Sequence, residues 1–146
     1  MNDTNFCNPN DYSGETDSKR IQAAVDDAKK TGCNKVVIPN YNQMRGSYTW
    51  RISETILLPS DITVILDNAY LIMEDDVVCQ MFCNENAREE IGKTTDGEQE
   101  NIYIIGNGYA VIDGGKENHV SEYSAYHDRT LNVHDNVMIY LHNIDG

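Results

Sequence analysis

No apolar run in the chain exceeds about five residues, whereas a helix needs roughly 20 to cross a bilayer. A transmembrane helix is excluded on that ground. Basic side chains are also scarce, 11 against 24 acidic ones in 146 residues, for a formal charge of −13. No Lys/Arg-rich stripe interrupts this negative field, so nucleic acid is not an expected partner, and neither is an anionic membrane surface. Met1 to Asp11 lacks the basic start and apolar run of a secretory signal. The expected location is the cytoplasm, or outside the cell if a leader has been removed. The four cysteines form no pair of CxxC motifs, and the Cys79/Cys83 spacing fits no common zinc framework. They read as ordinary thiols, and no metal or cofactor is expected. Leucine is rare, with 6 residues, whereas isoleucine and valine total 24. Branched Cβ atoms restrict helical rotamers, so this balance favours strands.

One segment nevertheless reads as a helix. Ile21, Ala24, Val25 and Ala28 follow the i, i+3, i+4, i+7 spacing, from Asp17 or Ser18 as N-cap to Gly32 just past the end. Its apolar face is narrow and Ala-rich, suited to close packing, and Asp26 can pair with Lys30 on the other face. Beyond it lie short β-branched runs: Val36 to Pro39, Ile56 to Pro59, Ile62 to Leu66, Tyr70 to Met73, Asn101 to Ile105, Tyr109 to Ile112 and Val137 to Leu141. Glu85 to Glu100 is charged and turn-rich, and reads as a solvated excursion without core. A second long connection runs from Gly114 to Asn136.

Asn68-Ala69-Tyr70-Leu71-Ile72-Met73 is echoed by Asn107-Gly108-Tyr109-Ala110-Val111-Ile112, and Ile65-Leu66 aligns with Ile104-Ile105. A third echo is Asn136 to Tyr140 against Asn101 to Ile105. Paired short strands with tight Asn/Gly corners are what stacked coils require, because Asn tolerates the left-handed conformation and can hydrogen-bond between turns. The expectation is an all-β chain: a right-handed parallel β-helix, or solenoid, with an N-terminal capping α-helix, truncated at its C-terminal end. The competing arrangement is an antiparallel sandwich. Residues 1–16 form an N-terminal arm, and 17–146 hold the helix and the first coils of one domain.

Several of these pieces resemble a known family. Asp11-Tyr12, Thr16-Asp17, Ile21 to Val25 and Lys35 to Pro39 resemble the opening of polygalacturonase-like glycoside hydrolases and the wider pectin-lyase-like group. Ile56 to Val64 resembles the next coil. Ile104 to Gly114 resembles the family's Ile-x-Gly-x-Gly-x-Ile-Asp-Gly segment, with one extra residue. The resemblance implies a β-helix capped by the helix and an enzyme acting on an acidic or plant-type polysaccharide. It also implies that the catalytic carboxylates belong to later coils. The chain contains no Asn-Thr-Asp, Gly-His-Gly or Arg-Ile-Lys. Inverting hydrolysis needs one carboxyl to protonate the leaving oxygen and another to activate water. Asp26-Asp27 belongs to the helix and Asp75-Asp76 ends a strand, so no catalytic residue is assigned. The chain by itself is expected to be inactive.

For ligand contact the Gly114 to Asn136 connection is the candidate. It gathers His119, Tyr126, His127 and Arg129, together with Lys116, Tyr123 and His134. Aromatic faces stack on sugars, and Arg or His can pair with a uronate. A surface loop of mixed composition is the plainer account. The four histidines sit at no short metal-ligand spacing. Asp113 reads as a turn aspartate, and Gly106 and Gly108 as corner glycines, since no helix follows to make a phosphate loop. Ser47 to Arg51 carries the only Trp, which either packs beneath the helix or offers a sugar platform. The expected function is thus the N-terminal segment of a polysaccharide-degrading hydrolase, binding a polysaccharide or oligosaccharide. The alternative is a non-enzymatic polysaccharide-binding or tailspike-like module that self-associates through the uncapped end of the solenoid.

Overall fold

The Ala-rich periodic segment forms α1 (Asp17–Thr31) in a computed structural model that describes residues 5–87, 89–115 and 138–145. The N-cap is Thr16, whose hydroxyl accepts the Lys19 N–H at 3.1 Å. Asp17 and Ser18 cannot fill that role because their side chains turn inward. The Ser18 hydroxyl accepts the Ser53 N–H at 2.8 Å, and Asp17 holds arginine side chains and the Arg51 N–H. Gly32 closes the helix at φ 78°, where a side chain would be strained. Ile21, Ala24, Val25 and Ala28 are fully buried, as the spacing predicts. Asp26 does not face a lysine partner; it accepts Gln22 Nε2 at 3.0 Å.

The strands are β1 (Lys35–Ile38), β2 (Trp50–Ile52), β3 (Ile56–Leu58), β4 (Ile62–Asp67), β5 (Tyr70–Met73) and β6 (Phe82–Asn84). They continue with β7 (Gln99–Glu100), β8 (Ile102–Asn107), β9 (Val111–Asp113), β10 (Ile139–Tyr140) and β11 (Ile144–Asp145). Alternation sets the facing: Ile62, Val64 and Leu66 of β4 point inward and are buried, while Thr63, Ile65 and Asp67 point outward. Helix α1 lies against β1, β2, β3 and β4, and its small side chains meet the inward residues of these strands in one apolar core.

The strands pair only in parallel, in the orders β1-β4-β8, β2-β5-β9, β10-β6-β3 and β11-β7. This corrects the expected right-handed parallel β-helix. The strands form four separate small sheets of two or three strands beside one helix, with no closed or solenoid sheet among the described residues. The register explains why. Lys35 pairs with Thr63 but Ile62 with Ile102, Trp50 with Leu71 but Leu71 with Ile112, and Ile56 with Phe82 but Phe82 with Ile139. The interval between paired residues runs from 21 positions (Trp50 to Leu71) to 57 (Phe82 to Ile139), so no single repeat length carries one sheet into the next. The expectation of truncated coils with an uncapped end loses its premise with the solenoid.

The detailed repeat alignment shifts as well. Ile65 pairs with Ile105 and Tyr70 with Val111, one and two positions beyond the sequence match; the second of these shifts arises because the corner between Asn107 and Val111 is one residue longer than that between Asp67 and Tyr70. The third echo pairs elsewhere, since β10 joins β6 and not β8. The corner chemistry does appear. Asn34, Asp61, Asn68, Asn101 and Asn143 all take positive φ, between 52° and 58°. Asn101 Nδ2 donates to Asp61 Oδ1, and Asn107 Nδ2 to Asp67 Oδ1, each at 2.9 Å.

The Glu85 to Glu100 excursion is more ordered than its composition suggests. Two short 3-10 turns, Glu90–Lys93 and Thr95–Gly97, lead into β7. Gly92 and Gly97 are buried so tightly that a Cβ would lie 1.9 Å from Asn86 O and 1.7 Å from Ile91 O, respectively. Beneath the excursion, buried Asn84 Nδ2 donates to Gln99 Oε1 at 2.8 Å and to His142 O at 2.9 Å, tying together three distant segments.

Candidate functional site

The only Trp is not a sugar platform. Trp50 is 0% exposed, its indole N–H donates to Pro39 O at 2.7 Å, and the Arg20 guanidinium lies 5.2 Å from its ring centre. Arg20 is itself buried, bonded through Nη2 to Asp17 Oδ1 and to Asn42 Oδ1, the latter at 2.7 Å. Burial acts to raise the Asp17 pKa. The Arg51 N–H and the Asn42, Arg45 and Arg20 side chains outweigh it and hold the carboxyl below its usual range.

This buried network carries an exposed aromatic hairpin. Asn42 and Ser47 form an antiparallel bridge, the Asn42 N–H donating to Ser47 O at 2.8 Å, and Gly46 makes the turn at φ 65°. Buried Asn42 fastens the hairpin from within, since its Oδ1 takes the Arg45 N–H at 3.3 Å and its Nδ2 reaches Thr49 O at 3.2 Å. Asn10 clamps the other side, donating to Tyr41 O at 2.9 Å and accepting the Gln43 N–H at 3.0 Å. On this fixed frame Tyr41 and Tyr48 meet edge to face with ring centres 5.2 Å apart, 41% and 67% exposed. Met44 and Arg45 of the same hairpin line a cleft of about 190 Å³ with Gly14, Glu15, Thr16 and Asp17. Arg45 Nε binds Asp17 Oδ2 at 2.9 Å and leaves its side chain 36% exposed. Rigid aromatic faces beside a few fixed polar groups are the usual ingredients of a small-molecule site.

A second, wholly polar groove of about 410 Å³ lies between Lys29, Asn34, Asp61, Glu85, Asn86 and Glu98. Lys29 Nζ spans it to Glu85 Oε1 at 3.1 Å. No aromatic side chain lines it. Among the described residues no group of three or more His, Cys, Asp or Glu side chains is placed to hold a metal ion.

Of the residues singled out in the sequence, His119, Tyr126, His127 and Arg129 lie outside the described residues, as do Lys116, Tyr123 and His134. Asp113 is not in a turn but ends β9, paired with Ile72 of β5; its Oδ1 accepts the Gly115 N–H at 2.8 Å and its other carboxylate oxygen accepts the Tyr70 hydroxyl. That hydrogen bond, with burial adding to it, raises the Tyr70 pKa. Gly108 is a corner glycine at φ 64°. His142 uses its backbone to bond Asn84, and its ring stacks parallel to Tyr140. The Tyr41–Tyr48 pair was not foreseen as a unit. The one available signal was Tyr48 in the Ser47 to Arg51 segment, where the larger Trp50 drew attention instead. Compared with known proteins, the chain matches no family model, no curated protein and no solved structure.

Proposed function

We propose that the chain recognises a polysaccharide or oligosaccharide. In this reading it serves a polygalacturonase-like, polysaccharide-degrading glycoside hydrolase whose acid and base carboxylates lie outside residues 1–146. The observation that carries the saccharide part is the Tyr41–Tyr48 pair, exposed and braced at both ends by buried or clamped asparagines. Sugar rings present C–H faces to aromatic rings, while their hydroxyls can bond Arg45 and Glu15 at the adjoining cleft. A charge of −13 favours a neutral glycan over a uronate. The hydrolase part rests on the resemblance of Ile104 to Gly114.

The test is titration calorimetry of the chain with neutral glucan, mannan and galactan oligosaccharides and with polygalacturonate. Binding of a neutral oligosaccharide that weakens about tenfold in Tyr48→Ala, a loss of about 1.4 kcal/mol, is the expected result. No heat with any glycan at millimolar concentration refutes the reading.

A second reading, a non-enzymatic binding module, is favoured by one observation. Neither Asp-Asp pair is arranged as an acid and a base: Asp27 is engaged by the Tyr12 hydroxyl at 2.6 Å, and Asp75-Asp76 is a turn with Asp76 at φ 64°. Reducing-sugar release by the longest natural protein carrying this N-terminus separates the two readings. Glycan binding without release supports the module.

A further inference from the structure

Two thiols 26 positions apart in sequence meet below the end of α1. Cys7 lies in the N-terminal arm, where its N–H donates to Lys35 O at 2.9 Å and its carbonyl accepts the Val37 N–H at 3.0 Å, pairing it with Val36 of β1. Cys33 follows the helix-ending Gly32 and precedes β1 by two residues. The two sulfurs are 3.6 Å apart. A disulfide bond is about 2.05 Å long, so closure asks for roughly 1.5 Å of approach between the sulfurs.

The surroundings make the two thiols unequal. Cys7 is buried, and burial pushes its pKa up. Cys33 is partly exposed; burial opposes ionisation there too, but hydrogen bonds at the Lys35 backbone, the Thr31 hydroxyl and the Cys7 thiol outweigh it and lower the pKa. Asp27 Oδ2 stands 4.0 Å from Cys7 Sγ. An accessible, acidified thiol backed by a second thiol within contact is the arrangement of a redox-responsive pair.

We propose that Cys7 and Cys33 form a reversible redox pair that closes by exchange with a low-molecular-weight disulfide and fastens the N-terminal arm to the end of α1. The Cys33 thiolate attacks one sulfur of the small disulfide, forming a mixed disulfide and expelling one thiolate. Cys7 then loses its proton to water and attacks Cys33 Sγ, breaking the mixed disulfide and expelling the second thiolate. Two electrons pass from the protein dithiol to the small disulfide, and the two released thiolates take up the two protons. The pair is independent of the saccharide reading.

The test equilibrates the full chain, folded, in oxidised and reduced glutathione mixtures of graded ratio, traps free thiols by alkylation, and maps tryptic peptides by mass. Residues 1–19 carry Cys7 alone, 31–35 carry Cys33 alone, and 52–88 carry both Cys79 and Cys83, so the linkage is unambiguous. The expected product is peptide 1–19 joined to 31–35, two hydrogens lighter than their sum, lost again in excess reduced glutathione and retained in Cys79→Ser/Cys83→Ser. Cys7→Ser should hold glutathione on Cys33, whereas Cys33→Ser should hold little on Cys7. Alkylation of both thiols at every ratio, or glutathione adducts without the linked peptide, overturns the pair. Glutathione held preferentially on Cys7 overturns the order of attack.

Discussion

The Arg20 guanidinium lies over the Trp50 ring, 5.2 Å from its centre, while its Nη2 holds both Asp17 and Asn42. One buried cation thereby fixes the first turn of α1, the inward face of β2 and the root of the tyrosine hairpin. Among the described residues its buried Nε has no hydrogen-bond partner, so the arrangement is held by geometry and charge neutralisation and not by full hydrogen bonding. A buried ion pair is costly to break from one side, because the remaining charge stays desolvated.

Arg20→Met should therefore destabilise the chain by about 3 kcal/mol, read as a lower urea midpoint at unchanged slope. Asp17→Asn in the same background should recover part of that loss, because it removes a buried carboxylate that has lost one of its two arginine partners. A double variant no more stable than Arg20→Met would contradict the coupling.

The pH dependence follows from the direction of the Asp17 shift. Its folded-state pKa lies below the unfolded value of 3.8, so the unfolded chain takes up the proton first on acidification. The stability from this carboxylate is fully present above about pH 5 and drains as pH falls through the ordinary carboxylate range toward the lowered folded pKa. Urea midpoints measured between pH 6 and pH 3 should fall less steeply in Asp17→Asn than in the parent chain.

Gly108→Ala meets two penalties together. The backbone φ is 64°, and an added Cβ would lie 2.2 Å from Asn68 Oδ1. A loss of at least about 1 kcal/mol is expected from the left-handed backbone alone, with more from the clash. Asn68→Gly should relieve the second penalty and not the first, so thermal melts of the two single variants and the double should show partial recovery.

Trp50 is the single indole and is sealed from solvent, whereas Tyr48 is exposed. Saccharide binding at the hairpin should leave tryptophan emission blue-shifted and nearly unchanged while tyrosine absorbance responds. Tyr48→Ala should weaken binding without moving the thermal midpoint by more than a degree or two, since an exposed ring contributes little to the core. A large drop in stability would show that the ring is structural.

Closing Cys7 to Cys33 should stabilise the chain as well as tie it. Constraining a loop of this length in the unfolded state contributes about 3 kcal/mol in the chain-entropy treatment. The urea midpoint should rise on oxidation and return on reduction, and Cys7→Ser should abolish the difference.

Helix α1 was legible because its signals are local: a 3.6-residue apolar period, a hydroxyl before it and a glycine after it. Which hydroxyl capped it was not legible, since Asp17 and Ser18 are drawn inward by Arg20, Arg45, Ser53 and Arg51, partners from distant segments. The inward face of β4 and the left-handed Asn corners were equally readable from alternation and residue type. Strand β2 was hidden by the charged Arg51 at its centre, and β6 by the polar Asn84 at its end. Pairing was misread for a clearer reason. A repeat of short apolar runs matches several registers almost equally well, and a corner longer by one residue between Asn107 and Val111 shifts the partners that follow it.

By itself, then, the amino-acid order determined the charge, the helix and its buried face, the branched strands and the Asn/Gly corners, because each depends on near neighbours. Tertiary structure alone decided that the strands divide into four small sheets, that Trp50 is sealed beneath Arg20 while Tyr41 and Tyr48 face outward, and that Cys7 reaches Cys33. Those outcomes depend on which distant segments share space, and residue spacing along a chain does not encode a distance through it.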